Sequence, residues 1–231
     1  IIIARDLALA AITGGWLHVC HVSTGIGVDL ITAAKRRGDW VTAEVMPHHL
    51  TMTNDWVAGC RELVNVEEPV GRPGAVAEPD TKVNPPLRTD GDSRQLLKGL
   101  KQGTLDIVAT DHAPHSRPEK QGRSFASAAF GLTGSEVALP LMLALVRTGE
   151  MTLSDVISFL SAVPARLWRL GTGSLKPGAP ADIVVFDPDE TWCLEAERLA
   201  SRAANTPLVG IELRGRAKMT FVGGDERHYA Q

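Results

Sequence analysis

Six of the seven histidines in this 231-residue chain form three tight groups: His18 with His21, His48 with His49, and His112 with His115. Each group stands at or just past the end of a short, apolar, β-favouring run, and helical patterns fill the intervals between runs. Strand–helix alternation with short connections leaves few folds open. Parallel strands need crossovers, and crossover helices must cover the sheet. A barrel and an open doubly wound sheet both satisfy the pattern. A dinucleotide-binding sheet fits less well, because no G-x-G-x-x-G opens a helix after a strand; Gly25-Ile26-Gly27 is only a fragment of it.

The runs are Leu17–Cys20, Trp40–Val45 and Leu105–Ala109. Helical spacing of apolar residues predicts helices over Val28–Arg37 (closed by Gly38), Ser93–Gln102, Ser135–Thr148 and Leu153–Ala162. Ile3, Leu7 and Ala11 also recur at helical spacing, but nothing before them caps a helix and the first residue is Ile1, so the expectation is that a natural beginning is missing. Leu63–Pro79, rich in Pro and Gly, reads as a long loop. After Pro164 the texture changes to Gly/Pro-rich turns around short strands at 181–187, 211–214 and 219–222, the last two bracketing Gly215. This divides the chain into a β/α part, 1–163, and a small β-rich appendage, 164–231.

Composition narrows the function. Lys and Arg number 24 against 27 Asp and Glu, a net charge of −3 with no basic cluster, which argues against nucleic acid or a membrane surface as partner. No apolar run approaches the roughly 20 residues of a bilayer span. Three scattered cysteines, Cys20, Cys60 and Cys193, are no disulfide framework and fit a reducing compartment such as cytoplasm.

Reactive groups of parallel α/β folds gather beyond the carboxyl ends of the strands. Imidazoles from three strand ends, together with Asp111, would therefore share one mouth, and that donor set suits zinc or a similar divalent ion. His18 and His21 are three apart, so on a continuing strand they face opposite sides and only one looks into the mouth. Asp111 is placed to hold a metal or to take a proton from the attacking water. His228 near the C-terminus, Cys20 as a buried small residue, Lys35-Arg36-Arg37 as a solvated helix end and the five tryptophans as core packing all take structural readings.

His18-Val19-Cys20-His21-Val22-Ser23-Thr24, Pro47-His48-His49-Leu50, Asn84-Pro85-Pro86-Leu87-Arg88 and Thr110-Asp111-His112-Ala113-Pro114-His115, in this order and spacing, resemble the successive motifs of bacterial dihydroorotases of the amidohydrolase superfamily. The resemblance extends to the tail through Ala204-Asn205-Thr206-Pro207. It implies the C-terminal half of a TIM-like (β/α)8 barrel, its last four strands, plus the β-rich region. The implied reaction is the interconversion of L-dihydroorotate and N-carbamoyl-L-aspartate at a binuclear zinc site. It implies His21, His48 and Asp111 as metal ligands, Asp111 also as general base and then acid, and Asn84, His115 and Gly131 as substrate-binding residues. It further implies a homo-oligomer, with aspartate transcarbamoylase as a protein partner in some relatives.

The family's first-strand His-x-His with its following Arg is absent, as is the bridging carboxylate or carboxylated lysine. The three ligands read here cannot complete two metal positions, so the expectation is an N-terminal half outside this sequence. Two other readings remain: another cyclic-amide hydrolase such as an allantoinase or hydantoinase, and an inactive dihydroorotase-like scaffold.

Overall fold

A computed structural model describes residues 1–65, 77–120 and 122–229. Most of the loop expected at Leu63–Pro79 lies outside the described residues. The chain opens with α1 (Ile2–Thr13), β1 (Leu17–Val19), α2 (Gly25–Arg37), β2 (Val41–Val45) and α3 (Pro47–Thr51). It continues with α4 (Asp90–Lys101), β3 (Ile107–Val108), α5 (Arg117–Lys120) and α6 (Ser135–Arg147). α2 begins three residues before its apolar periodicity does, because extended Thr24 caps it by accepting the Gly27 N–H, and left-handed Gly38 closes it. α4 is capped by Thr89, with acidic Asp90 and Asp92 in its first turn and Lys98 and Lys101 in its last.

β1, β2 and β3 form a parallel sheet in that order, with Leu17 opposite Val41 and Glu44 opposite Ile107. Val19, Val41, Ala43 and Val45 are buried in the hydrophobic core together with Ile31, Leu96 and Leu100 of α2 and α4. Alternation along the strands sends His18, Thr42 and Glu44 to the opposite face. Asp106 braces the sheet: its carboxylate accepts the Ala43 N–H at 2.7 Å and the Lys35 ammonium at 2.7 and 2.8 Å. Lys35 is thus tied to the sheet and is not merely part of a solvated helix end.

A fourth barrel strand, expected from the sequence, is reduced among the described residues to an isolated parallel bridge between His112 and Leu132. The Gly-flanked segment around Leu132 is too irregular to extend the ladder. The last long helix is also not regular throughout. α7 (Leu153–Ile157) passes through a π-helical turn at Ser158–Ala162 into α8 (Val163–Leu167). The tail forms an antiparallel sheet of β4 (Ile183–Cys193), β5 (Glu212–Val222) and β6 (Asp225–Tyr229). β5 runs straight through Gly215, where two strands were expected. With φ 101° and the Leu143 side chain in the space a Cβ would take, Gly215 serves close approach to α6 and not a turn. Leu194, Leu208, Ile211 and Leu213 join the same core cluster as the β/α part.

The tryptophans do not all pack the core. Trp56 is fully buried, whereas Trp16, Trp40 and Trp168 are 40–65% exposed. Those three gather at the β1 edge, with Trp16 ring centroids 6.2 Å from Trp40 and 5.3 Å from Trp168. Among the described residues no helix is long and apolar enough to cross a membrane.

Candidate metal and catalytic site

β1 stops at Val19, and the backbone leaves the extended region: His21 has φ 56°. Period-two alternation holds only on extended backbone, so the expected opposition of His18 and His21 fails, and both rings meet one carboxylate. His18 Nε2 lies 3.1 Å from Glu44 Oε2, and His21 Nδ1 lies 2.9 Å from Glu44 Oε1. A relay fixes His18 from its other side. Trp16 Nε1 donates to Thr42 Oγ1 at 3.1 Å, and the Thr42 hydroxyl is hydrogen-bonded to His18 Nδ1 at 2.8 Å. Burial pushes the Glu44 carboxyl up, but hydrogen bonds and charge from His18 and His21 override it and hold the group at about 2. Glu44 in turn raises the His21 pKa, against the opposing effect of burial.

With Nδ1 turned to Glu44 in an ion-pair contact, the remaining nitrogen of His21 faces Asp111: Nε2 to Oδ1 is 3.7 Å, longer than a hydrogen bond. Asp111 follows β3 and has φ 46°. His21 and Asp111 are two of four non-glycine residues with positive φ among the described residues. Such backbone costs on the order of 1–3 kcal/mol and concentrates at functional sites. Burial raises the Asp111 pKa, with His21 opposing and Glu44 adding to the rise.

His48 does not join this pair in a compact group. Among the described residues, the three ligand-type groups whose atoms all lie within 4.8 Å of one another are His18, Cys20 and Glu44. Cys20, expected buried, is exposed, because it lies past the end of β1. His48 sits on α3, which Pro47 opens at its first turn; the ring is buried, lies tilted against His49 with centroids 4.5 Å apart, and leaves Nε2 without a hydrogen-bond partner. Burial lowers the His48 pKa well below the usual value, helped by His49 and His21. Burial also lowers His49 to about 4, against its hydrogen bond to the Pro85 carbonyl. Both rings are neutral at pH 7, so unfolding takes up protons below the ordinary histidine value. Stability from these rings is full above about 6.5 and falls as pH drops toward 4. A thermal melt at pH 5 is therefore expected below the melt at pH 7, and equal midpoints would contradict neutral burial.

On the substrate side, Asn84 is exposed directly after buried Val83. His115 Nε2 donates to the Phe130 carbonyl at 2.8 Å. Gly131 has φ 117°, and a Cβ there would run into Ala113 and approach His115. The structure thus brings His115, just before α5, and Gly131, beyond it, close together. Sequence reasoning missed what holds them. Asn205, 2% exposed, accepts the His115 N–H at 3.0 Å and donates to the carbonyls of Ala113 and Gly131. It missed Glu44 as well, although a polar Thr42/Glu44 alternation inside an apolar strand was a readable signal.

The amidohydrolase family model matches residues 6–227. The chain belongs to the amidohydrolase family. Curated relatives of this amidohydrolase include the dihydroorotase of Anaeromyxobacter dehalogenans, 45% identical over 97% of this chain and 48% of that protein. The dihydroorotase of Enterococcus faecalis is 44% identical over 96% of this chain and 48% of its own length. The chain spans about half the length of the curated relatives it matches. Among solved structures, the L-hydantoinase (dihydropyrimidinase) from Arthrobacter aurescens superposes with a TM-score of 0.83 at 29% identity, covering 97% of this chain and 47% of that one. The dihydropyrimidinase from Brevibacillus agri gives 0.82 at 25%, with the same coverage. The parallel sheet of this amidohydrolase is therefore part of a TIM-type barrel, and the open-sheet alternative falls.

Proposed function

We propose that this amidohydrolase chain supplies the C-terminal half of a dihydroorotase, a metal-dependent cyclic-amide hydrolase that opens L-dihydroorotate to N-carbamoyl-L-aspartate. The observation that carries the reading is the His21–Asp111 pair, buttressed by Glu44, at the mouth of a sheet whose curated relatives at 40–45% identity are dihydroorotases. Three free cysteines accord with a cytoplasmic setting.

His21, His48 and Asp111 are the residues that would hold metal. The donor set fits: His21 Nε2 and Asp111 Oδ1 face each other beyond hydrogen-bond distance, and the buried His48 Nε2 has no other partner. Divalent ions, zinc in this reading, polarise an amide carbonyl and lower the pKa of water when bound. Asp111 takes a proton from the attacking water and returns it to the ring nitrogen as the amide C–N bond breaks, one carboxylate serving both transfers from within reach of both atoms. Glu44 keeps Nδ1 of His21 engaged, so that Nε2 alone is presented to the mouth.

Asn84, His115 and Gly131 would hold the substrate. Because His115 Nε2–H is spent on Phe130, only Nδ1 can reach a substrate carboxylate, and it donates only from the doubly protonated ring. His115→Ala is expected to raise KM for dihydroorotate roughly 10–100-fold, as for the loss of one charge-assisted hydrogen bond, with a smaller change in kcat. An unchanged KM would remove His115 from carboxylate recognition.

The hydantoinase structures keep a second reading open. Steady-state assays of dihydroorotate, dihydrouracil and hydantoin with zinc separate the two, using whatever assembly of this chain is active. Preference for the carboxylated ring supports the first reading, and preference for an uncharged ring overturns it. No turnover of any of them in a complete, metal-loaded assembly would indicate a scaffold.

A further inference from the structure

The last residue of α5 is a fully buried lysine. Lys120 Nζ donates to the carbonyls of Lys82 at 2.9 Å, Ala129 at 2.9 Å and Gly131 at 2.6 Å, which uses all three ammonium hydrogens. The pattern around Phe130 is specific. The carbonyls on either side of it, Ala129 and Gly131, turn toward Lys120, while the Phe130 carbonyl accepts from His115. The Lys82 carbonyl is shared between Lys120 and the Gly131 N–H at 2.9 Å. Lys82 itself reaches over the Phe130 ring at 4.3 Å and donates to Ala126 and Ala128.

We propose that Lys120 is a positioning residue: by anchoring the carbonyls of residues 129 and 131 it aims the carbonyl of residue 130 at His115 and fixes the Gly131 peptide for substrate. The assignment of a substrate role to His115 and Gly131 rests on the dihydroorotase reading; the anchoring does not. A neutral amine has two hydrogens and a lone pair for three carbonyls, so the loop loses one anchor when Lys120 deprotonates. Burial brings that step to about 8, with the Asp80 carboxylate opposing it and the Lys82 charge assisting it. Among the described residues, the other charged or titratable groups on this side are His115, through Phe130, Arg117 and Glu119 on α5 itself, and Glu197 and Arg202, which line the same pocket as Lys120.

The test is hydrogen–deuterium exchange of the peptide covering residues 127–131 in the 231-residue chain at pH 7.0 and 9.5, corrected for intrinsic rates. The reporters are the Ala129 and Gly131 amides, which donate to the carbonyls of Glu119 and Lys82. Protection is expected to fall at least about 10-fold between the two pH values. Lys120 does not itself lower global stability over this range: its folded pKa lies below the unfolded value of 10.5, so this group adds stability as pH rises from about 8 to 10.5, and exchange of core amides far from the loop serves as the control. Lys120→Met is expected to show the low protection already at pH 7.0, with no further drop. An unchanged wild-type loop at pH 9.5 overturns the proposal whether or not the variant folds, as does a drop that persists in Lys120→Met, which would assign the titration to another group. Failure of the dihydroorotase reading would appear as absent turnover and would leave the exchange result standing.

Discussion

Asp111→Asn is expected to lower dihydroorotate turnover by at least about 10³-fold while the protein stays folded. The size follows from what the carboxylate does: a positioned general acid–base contributes typically about 10²–10⁴-fold, and an amide can neither accept the water's proton nor return it to the ring nitrogen. The substitution also weakens Asp111 as an anionic donor toward metal. Folding should survive for a local reason. Residue 111 sits at φ 46°, a left-handed conformation that asparagine tolerates as well as aspartate does, and its side chain is only partly buried. A thermal midpoint close to the parent's therefore accompanies the loss. The pH profile gives the second readout, since the acid limb of kcat/KM that reports the base should disappear from whatever residual activity remains. A variant that keeps even a tenth of the parent's kcat/KM would place the base elsewhere.

The fold was largely legible because its signals are local. Leu96, Leu97 and Leu100 repeat with the helical period, Gly38 ends α2 as expected, and the β1 and β2 runs stand within a residue of their observed limits. The barrel was not legible from alternation alone, which an open sheet satisfies equally; the family match decides it. Within the candidate site, the reading singled out residues near strand ends and passed over those that hold them from a distance along the chain. Nothing in the sequence singles out Lys120, and only the folded loop shows three carbonyls closing on it. Asn205 lies 90 residues from His115, a separation no periodicity spans. The His18/His21 error has a single cause. The strand was extended through a residue whose backbone is left-handed, and one such residue re-aims every side chain after it.

That same turn makes Glu44 the residue whose loss should be felt in two independent measurements. Glu44 is 7% exposed and sits between two imidazoles, so truncation to alanine leaves His18 Nε2 buried without its partner. Leaving a buried hydrogen-bonding group without its partner costs about 1–3 kcal/mol. For a chain of this size that is a fall in Tm of roughly 2–12 °C. Glu44→Gln separates packing from charge. It keeps the shape and can still hydrogen-bond, but its neutral amide no longer compels His21 to keep Nδ1 protonated and Nε2 free. Zinc affinity, read by competition with a chromophoric chelator, is expected to fall about 10–100-fold, the usual cost of losing a partner behind a ligating histidine, with a Tm loss well short of the alanine variant's. The pH dependence should move with it. A metal must displace the proton that Glu44 helps His21 to hold, so wild-type affinity weakens as pH falls through the raised His21 value, and the glutamine variant should shift that midpoint downward. Unchanged zinc affinity and an unshifted midpoint in Glu44→Gln would reduce Glu44 to a packing residue and leave the orientation of His21 to be explained by its strained backbone alone.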